Sequence, residues 1–218
     1  MANLESSQGS LPFDAIVLAG GRSTRLGRNK LNESLGNRTI LERVVMSLEL
    51  ADTVVVVGTE QTADLSQLMI TTGRSTEKLI ITSEDPPGSG PAMGIAAGIA
   101  ALGQSEPYKH TVILGGDMPF VSTAIPSLLT ALSTHRVAVL VDNDNQMQYL
   151  ASAWNHESLI RAASNVRQGD SVRSLFAGIE IAQVLDRHQA SIDIDTEADL
   201  GRAIAKLDAA PPKPPPSS

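Results

Sequence analysis

The chain has 218 residues, a net charge of −7, a hydrophobic content of 42% and no cysteine. Its length suits one large domain, and the lack of cysteine excludes a disulfide framework, a thiol nucleophile and a cysteine zinc site. The acidic balance argues against nucleic-acid binding, and no apolar run approaches the ~18 residues of a membrane span. We therefore expect a cytoplasmic protein that binds neither nucleic acid nor a membrane.

The apolar pattern predicts alternating strands and helices between a flexible leader at 1–11 and a disordered proline-rich tail at 208–218. The expected strands are, in chain order, 15–18, 53–57, 79–82, 111–114, 137–141, an antiparallel 148–154, 180–184 and 192–194. The expected helices are 39–50, 63–69, 91–102, 122–132, 157–165, 171–177 and 196–206. This alternation predicts a single domain over 12–207 with an α/β fold in three layers, a mostly parallel sheet with helices on both faces.

The loop after the first strand carries the most informative pattern. Residues 18–30 read Leu-Ala-Gly-Gly-Arg-Ser-Thr-Arg-Leu-Gly-Arg-Asn-Lys, with three glycines and four cations. Glycines allow close approach of the backbone to a ligand, and amide N–H groups with Arg and Lys cradle phosphates. The spacing matches neither the P-loop nor the dinucleotide fingerprint. The loop therefore predicts binding of a nucleoside triphosphate, with a tight surface turn as the alternative.

Carboxylates follow two later segments. Asp117 comes directly after the strand 111–114, where it is placed to hold Mg²⁺, an ion that prefers oxygen ligands; alternatively, it only caps the following turn. Asp193 and Asp195 are two residues apart, so in extended chain both point to one face and can share a cation. The alternative is that Asp195 or Thr196 caps the last helix and Asp193 is solvated.

A glycine-rich loop precedes the helix expected at 91–102. Gly88 and Gly90 allow the backbone to fold around a flat ligand, and Asp85 can accept hydrogen bonds from a base edge; a simple loop before a small-residue helix is the alternative. Ligands of open parallel sheets bind beyond the carboxyl ends of the strands. We expect the loop at 18–30, Asp85 and Asp117 to meet at that edge.

Four motifs together resemble the molybdenum cofactor guanylyltransferase family of nucleotidyltransferases. They are Leu-Ala-Gly-Gly-x-Ser-x-Arg-x-Gly-x-x-Lys at 18–30, Gly-Pro-x-x-Gly at 90–94, Gly-Asp-x-Pro at 116–119 and Asp-Ile-Asp-Thr-x-x-Asp-Leu at 193–200. They occur in the family's order and span about 13–206. The resemblance implies a Rossmann-like nucleotidyltransferase fold that transfers GMP from GTP to the phosphate of molybdopterin and releases pyrophosphate.

The resemblance also implies roles for individual residues. The implied catalytic residues are Lys30, Arg25 and Asp117. The implied nucleotide-binding residues are Leu18, Ala19, Gly20, Gly21, Lys30, Asp85, Gly90 and Asp117, with Asp85 reading guanine. Mg²⁺ is the implied cofactor, held by Asp117 with Asp195 as a second ligand or as the group that orients the incoming phosphate. Transient contact with other proteins of molybdenum cofactor biosynthesis is implied as well.

Other activities stay open on the same scaffold. The paired Gly20 and Gly21 and the run 90–94 resemble the GTP-using branch, whereas Asp193 and Asp195 also occur in cytidylyl relatives. Alternatives are therefore a molybdenum cofactor cytidylyltransferase or another NTP transferase with a phosphorylated acceptor. From a different class, a non-catalytic nucleotide-binding regulator is the alternative, and a dehydrogenase is a remote third because the dinucleotide spacing is missing.

Overall fold

The computed structural model describes residues 11–20, 30–59, 64–103 and 109–209. Its strands are β1 Phe13–Leu18, β2 Ser34–Leu35, β3 Arg38–Thr39, β4 Val54–Val57, β5 Leu79–Thr82, β6 His110–Gly115, β7 Val137–Val141, β8 Met147–Asn155 and β9 Ala182–Leu185. Its α-helices are α1 Ile40–Met46, α2 Leu65–Thr72, α3 Pro91–Leu102, α4 Ile125–Ala131, α5 His156–Ala163 and α6 Glu197–Ala209. Short 3-10 helices lie at Lys30–Asn32, Val121–Thr123 and Val172–Phe176.

A seven-stranded sheet in the order β5-β4-β1-β6-β8-β7-β9 forms the middle layer. Each neighbouring pair is parallel except the two pairings of β8. The strands β1, β4 and β7 are buried along their whole length, as expected when helices cover both faces of a parallel sheet. The predicted mostly parallel sheet is confirmed, and β8 is the predicted antiparallel strand.

Helices pack on both faces of this sheet. One core cluster includes Leu41 of α1 and Leu128 of α4, and the other includes Ile95 of α3 and Leu159 of α5. The predicted three layers are therefore present. A third, smaller cluster contains Ile194 and the α6 residue Ala203. It anchors the segment that leads into α6, and this segment carries part of the candidate site.

Several predicted boundaries differ from the structure. Helix α1 ends at Met46 rather than near 50, and the helix expected at 122–132 begins at Ile125. The helix expected at 171–177 is the 3-10 helix Val172–Phe176, and 192–194 is not a strand. At the three predicted helices, apolar spacings of three and four residues suit a turn, a 3-10 helix and an α-helix alike, so the pattern overstated regular helix there.

No helix in the described ranges has the length and apolar character needed to cross a bilayer. Helix α6 continues through Ala209, so it includes the first part of the segment expected as a tail at 208–218.

We expect Gly98→Ala to destabilise the protein by about 1–3 kcal/mol, because overpacking of a filled core forces side chains or backbone to shift. Gly98 lies inside α3, and a Cβ there would stand 2.7 Å from Cγ2 of Ile16, a fully buried β1 residue. The matched control is Gly201→Ala in α6, where a Cβ would meet nothing within 4 Å. That change should stabilise by roughly 0.5–1 kcal/mol through backbone entropy. Urea unfolding measures both, and a stabilising Gly98→Ala would disprove the close α3–β1 packing.

Because His156 is buried, we expect the free energy of unfolding to fall as the pH drops below 6.5, the ordinary pKa of a histidine. Its ring is buried, with Nδ1 2.7 Å from Oγ1 of Thr111. Burial lowers the pKa of His156, and Lys109 lowers it further against the opposing effect of Asp14. Between the folded and ordinary pKa the unfolded chain binds more protons, so acid favours unfolding. Urea unfolding at pH 7.5 and at pH 5.5 measures how much free energy of unfolding is lost between the two. This loss should be smaller for His156→Gln than for wild type or for the exposed-site control His188→Gln. Equal losses in the three proteins would contradict the role of His156.

Candidate functional site

The ends of three neighbouring parallel strands form the floor of the candidate site. The Ala19 amide donates to the Val57 carbonyl at 2.8 Å, and the Gly116 amide donates to the Leu18 carbonyl at 2.9 Å. The side chains of Leu18 and Ala19 are buried, whereas Gly20 is exposed. In residues 18–20, the described part of this predicted nucleotide-binding stretch, the backbone and not the side chains is therefore available to a ligand.

Two glycines place Asp117 at this edge. A Cβ at Gly115 would lie 2.6 Å from Oδ1 of Asp117, and a Cβ at Gly116 would lie 3.1 Å from the Leu18 carbonyl oxygen. A side chain at Gly115 would displace the carboxylate, and one at Gly116 would crowd the end of β1. Gly115 and Gly116 were not among the predicted site residues, although two glycines directly before an aspartate are a usable signal.

The third element is the segment before α6. The Ile194 amide donates to the Asp117 carbonyl at 3.1 Å, and the Ile194 side chain is fully buried. Thr196 and Asp199 form a reciprocal cap for α6, in which the Thr196 amide donates to Oδ2 of Asp199 at 2.8 Å. The Asp195 carboxylate is therefore not the helix cap and extends toward the site instead.

Lys30 joins these elements. Its Nζ donates to Oδ2 of Asp117 at 2.7 Å and to Oδ1 of Asp195 at 2.5 Å. The Lys30 side chain is only 12% exposed, against 25% for Asp117 and 46% for Asp195. Burial opposes the charge on Lys30, but the two carboxylates outweigh it and its pKa is raised. A protonated ammonium thus bridges residues that are 87 and 165 positions away in the chain.

Asp193 adds a further negative charge beside this bridge. Its pKa is raised, first by partial loss of hydration and then by repulsion from Asp117 and Asp195. The residue as a whole is exposed, so solvent screens part of that repulsion. The structure therefore supports the expectation that Asp193 and Asp195 lie near one another, although without a strand.

Asp85 and Gly90 lie in another loop. Asp85 is exposed, and within the described ranges no hydrogen bond or ion pair links it to Lys30, Asp117 or Asp195. Gly90 has φ +100° at the start of α3, a conformation that favours glycine. The loop is fixed from outside by the Gly169 amide, which donates to the Ser89 carbonyl at 2.8 Å.

Two predicted residues, Gly21 and Arg25, lie outside the described residues. A cavity of about 470 Å³ lies elsewhere, between α4 and β9, and its lining includes Ser127 and His188 but none of the predicted site residues that the structure describes. The Lys30 bridge is therefore the candidate site on chemical grounds, not because of a deep cavity.

Comparisons with known proteins identify the family and the fold. Residues 15–188 match the family model of the MobA-like NTP transferase domain. The probable molybdenum cofactor guanylyltransferase of Mycolicibacterium paratuberculosis is 31% identical over 203 residues, covering 90% of this chain and 97% of that protein. The fold is similar to that of molybdopterin-guanine dinucleotide biosynthesis protein A from Archaeoglobus fulgidus, with a TM-score of 0.61 and 17% identity over 91% of this chain and 100% of that one.

A second solved structure, 2-C-methyl-D-erythritol 4-phosphate cytidylyltransferase from Thermus thermophilus, has a TM-score of 0.66 and 16% identity over 91% of this chain and 100% of that one. At these identities the structural likenesses establish the fold, whereas the family match covers most of the sequence. The chain belongs to the MobA-like NTP transferase family.

Proposed function

We propose that this protein transfers GMP from GTP to the phosphate of molybdopterin and releases pyrophosphate, as a step of molybdenum cofactor biosynthesis. The observation that carries the proposal is the Lys30 bridge to Asp117 and Asp195 beside the backbone end of β1. It puts a cation and two carboxylates where parallel sheets bind ligands. The guanylyltransferase named among the similar proteins supports GTP as the donor.

In the proposed reaction, a phosphate oxygen of molybdopterin attacks the α-phosphorus of GTP. A new P–O bond forms, the bond between the α-phosphorus and the bridging oxygen breaks, and that oxygen leaves with the β- and γ-phosphates as pyrophosphate. The attacking phosphate is already ionised near neutral pH, so no strong general base is needed. Catalysis then consists of positioning the two phosphates and neutralising charge on the leaving group, the role proposed for Lys30 and Arg25.

The donor set is compatible with Mg²⁺ that arrives with the nucleotide. Asp117 and Asp195 supply carboxylate oxygens on either side of a cationic group. In the described part of the chain no group of three or more His, Cys, Asp or Glu side chains is arranged to hold a metal ion. Mg²⁺ commonly uses one or two carboxylates plus substrate phosphates, so Asp117 and Asp195 would suffice. Bound there, it would neutralise phosphate charge.

We propose that the guanine base of GTP binds at the loop that precedes α3. The exposed Asp85 carboxylate accepts hydrogen bonds only, which suits the N–H donors on one edge of guanine. Gly90, with its positive φ, leaves the loop backbone without a side chain at the entrance of α3. These two residues are proposed for nucleotide selection and not for the transfer step.

Pyrophosphate release tests the proposal. The full chain is incubated with Mg²⁺ and each of GTP, CTP, ATP and UTP, with and without molybdopterin. We expect release with GTP only when molybdopterin is present. Release with CTP instead would support the cytidylyl alternative, and nucleotide binding without release from any triphosphate would refute a transferase.

A further inference from the structure

The Lys30 ammonium occupies the space between two carboxylates that are proposed to bind a divalent cation. Its Nζ lies 2.7 Å from Oδ2 of Asp117 and 2.5 Å from Oδ1 of Asp195. Each contact joins a charged donor to a charged acceptor, and such charge-assisted hydrogen bonds are the stronger kind. A metal ion bound by the same two oxygens would meet the ammonium at close range, and two cations at that distance repel.

The negative charge around Lys30 explains why exclusion of a divalent cation by its ammonium matters. The ammonium contacts two carboxylates, Asp193 adds a negative charge that acts on both of them, and Lys30 is the most buried of the three bridging side chains. The carboxylates come from separate elements, the turn after β6 and the segment before α6, which are joined by the bond from the Ile194 amide to the Asp117 carbonyl. Lys30 thus offsets repulsion in a pair that the backbone holds together even when no ligand is bound.

A triphosphate offers Lys30 a competing partner. Resting on the proposed function, a bound nucleotide would draw the ammonium toward its phosphates and leave the carboxylate pair open. Binding of the metal and binding of the nucleotide would then favour one another, since coupling between two sites is reciprocal. The same lysine would serve the free protein as a counter-ion and the complex as a phosphate ligand.

We propose that Lys30 is a displaceable counter-ion that keeps divalent cations off Asp117 and Asp195 until a nucleotide binds, so that metal and triphosphate enter the site together.

The test is Mn²⁺ binding without nucleotide, measured by isothermal titration calorimetry on the full chain. Lys30→Gln should bind Mn²⁺ at least about tenfold more tightly than wild type, because a neutral amide replaces the competing charge. Lys30→Arg keeps the charge and should stay as weak as wild type. Lys78→Gln removes one exposed positive charge away from the bridge and should also leave the affinity unchanged.

A double variant and a replacement variant serve as controls. Adding Asp195→Asn to Lys30→Gln should abolish the gain, which places the bound Mn²⁺ at this pair. If circular dichroism shows that Lys30→Gln is unfolded, Lys30→Met replaces it and keeps the apolar stem. Unchanged or weaker Mn²⁺ binding in the folded variant, or an equal gain in Lys78→Gln, would overturn the counter-ion role.

The Mn²⁺ titration tests the counter-ion role, and the pyrophosphate assay tests the proposed function separately. If wild type releases pyrophosphate but Lys30→Gln gains no affinity for Mn²⁺, the counter-ion role fails and the transferase stands. If Lys30→Gln gains affinity but wild type releases no pyrophosphate from any triphosphate, the counter-ion role stands and the proposed function fails.

Discussion

Asp117→Ala should lower kcat by about 10²–10³-fold, the loss typical of removing one group that stabilises transition-state charge. The variant loses a proposed metal ligand and one of the two anchors of Lys30. Its fold should survive, because the Asp117 carbonyl that receives the Ile194 amide belongs to the backbone. We expect the free energy of unfolding to change by no more than about 1 kcal/mol, as for other partly exposed ion pairs.

A matched control is available in a second lysine bridge. Lys109 contacts Asp14 at 2.9 Å and Asp52 at 3.3 Å, and Asp52 is 55% exposed. Asp52→Ala therefore also removes a partly exposed carboxylate from a lysine, but it does so at the opposite ends of the parallel strands. It should leave kcat unchanged in the pyrophosphate assay. Full activity in Asp117→Ala would rule out the role of this carboxylate in transfer.

Lys30→Ala should lose about 3 kcal/mol of transition-state stabilisation, comparable to one lost oxyanion donor. That loss corresponds to roughly a hundredfold decrease in kcat/KM with GTP as the varied substrate. The physical reason is that pyrophosphate leaves with extra negative charge, and Lys30 is the described cation nearest to Asp117 and Asp195. Lys30→Arg should recover part of the activity, because the charge remains while the geometry changes.

Lys109→Ala separates catalysis from stability. Lys109 also bridges two carboxylates, and its partner Asp14 is only 1% exposed. Its removal leaves a buried carboxylate without this cation, so we expect lower resistance to urea with kcat/KM preserved for the folded fraction. If Lys30→Ala behaved in the same way, with lower stability and normal kcat/KM, Lys30 would be a structural residue and not a catalytic one.

The sheet was predictable because its strands carry a strong local signal. Four consecutive valines at β4 and the apolar run of β1 are typical of strands covered on both faces, and both were found. The start of α1 was equally clear: Thr39 and Glu42 have the three-residue spacing of a capping box, and they form one in the structure. In each case neighbouring residues determine the structure.

Errors arose where the local pattern fits more than one geometry. Leu48 continues the apolar spacing of α1, yet it is buried from a turn after the helix has ended. Pro126 favours the first turn of a helix and agrees with the observed start of α4 at Ile125, a signal that outweighs the apolar pattern from which a start at 122 was expected. The segment 192–194, which follows β9, is not part of the sheet. Pairing depends on a strand that is distant in the chain, so it cannot be predicted from the segment's own residues.

The candidate site was predictable in position but not in its contacts. The rule that ligands bind beyond the carboxyl ends of parallel strands brought Lys30 and Asp117 to one edge. Their direct ion pair, the second bond to Asp195 and the space provided by Gly115 depend on three-dimensional packing. From the sequence, Lys30 was predicted to contact phosphates only. Its ion pairs with the two carboxylates were found in the structure.

The path of the phosphorus atoms of GTP distinguishes nucleotidyl transfer from hydrolysis. GTP labelled with ³²P at the α or the γ position is incubated with the protein, Mg²⁺ and molybdopterin, and the products are separated. We expect the α label to move to the molybdopterin product and the γ label to move to pyrophosphate, in equal amounts. Release of the γ label as orthophosphate, or an α label that stays in free nucleotides, would contradict nucleotidyl transfer at the Lys30 bridge.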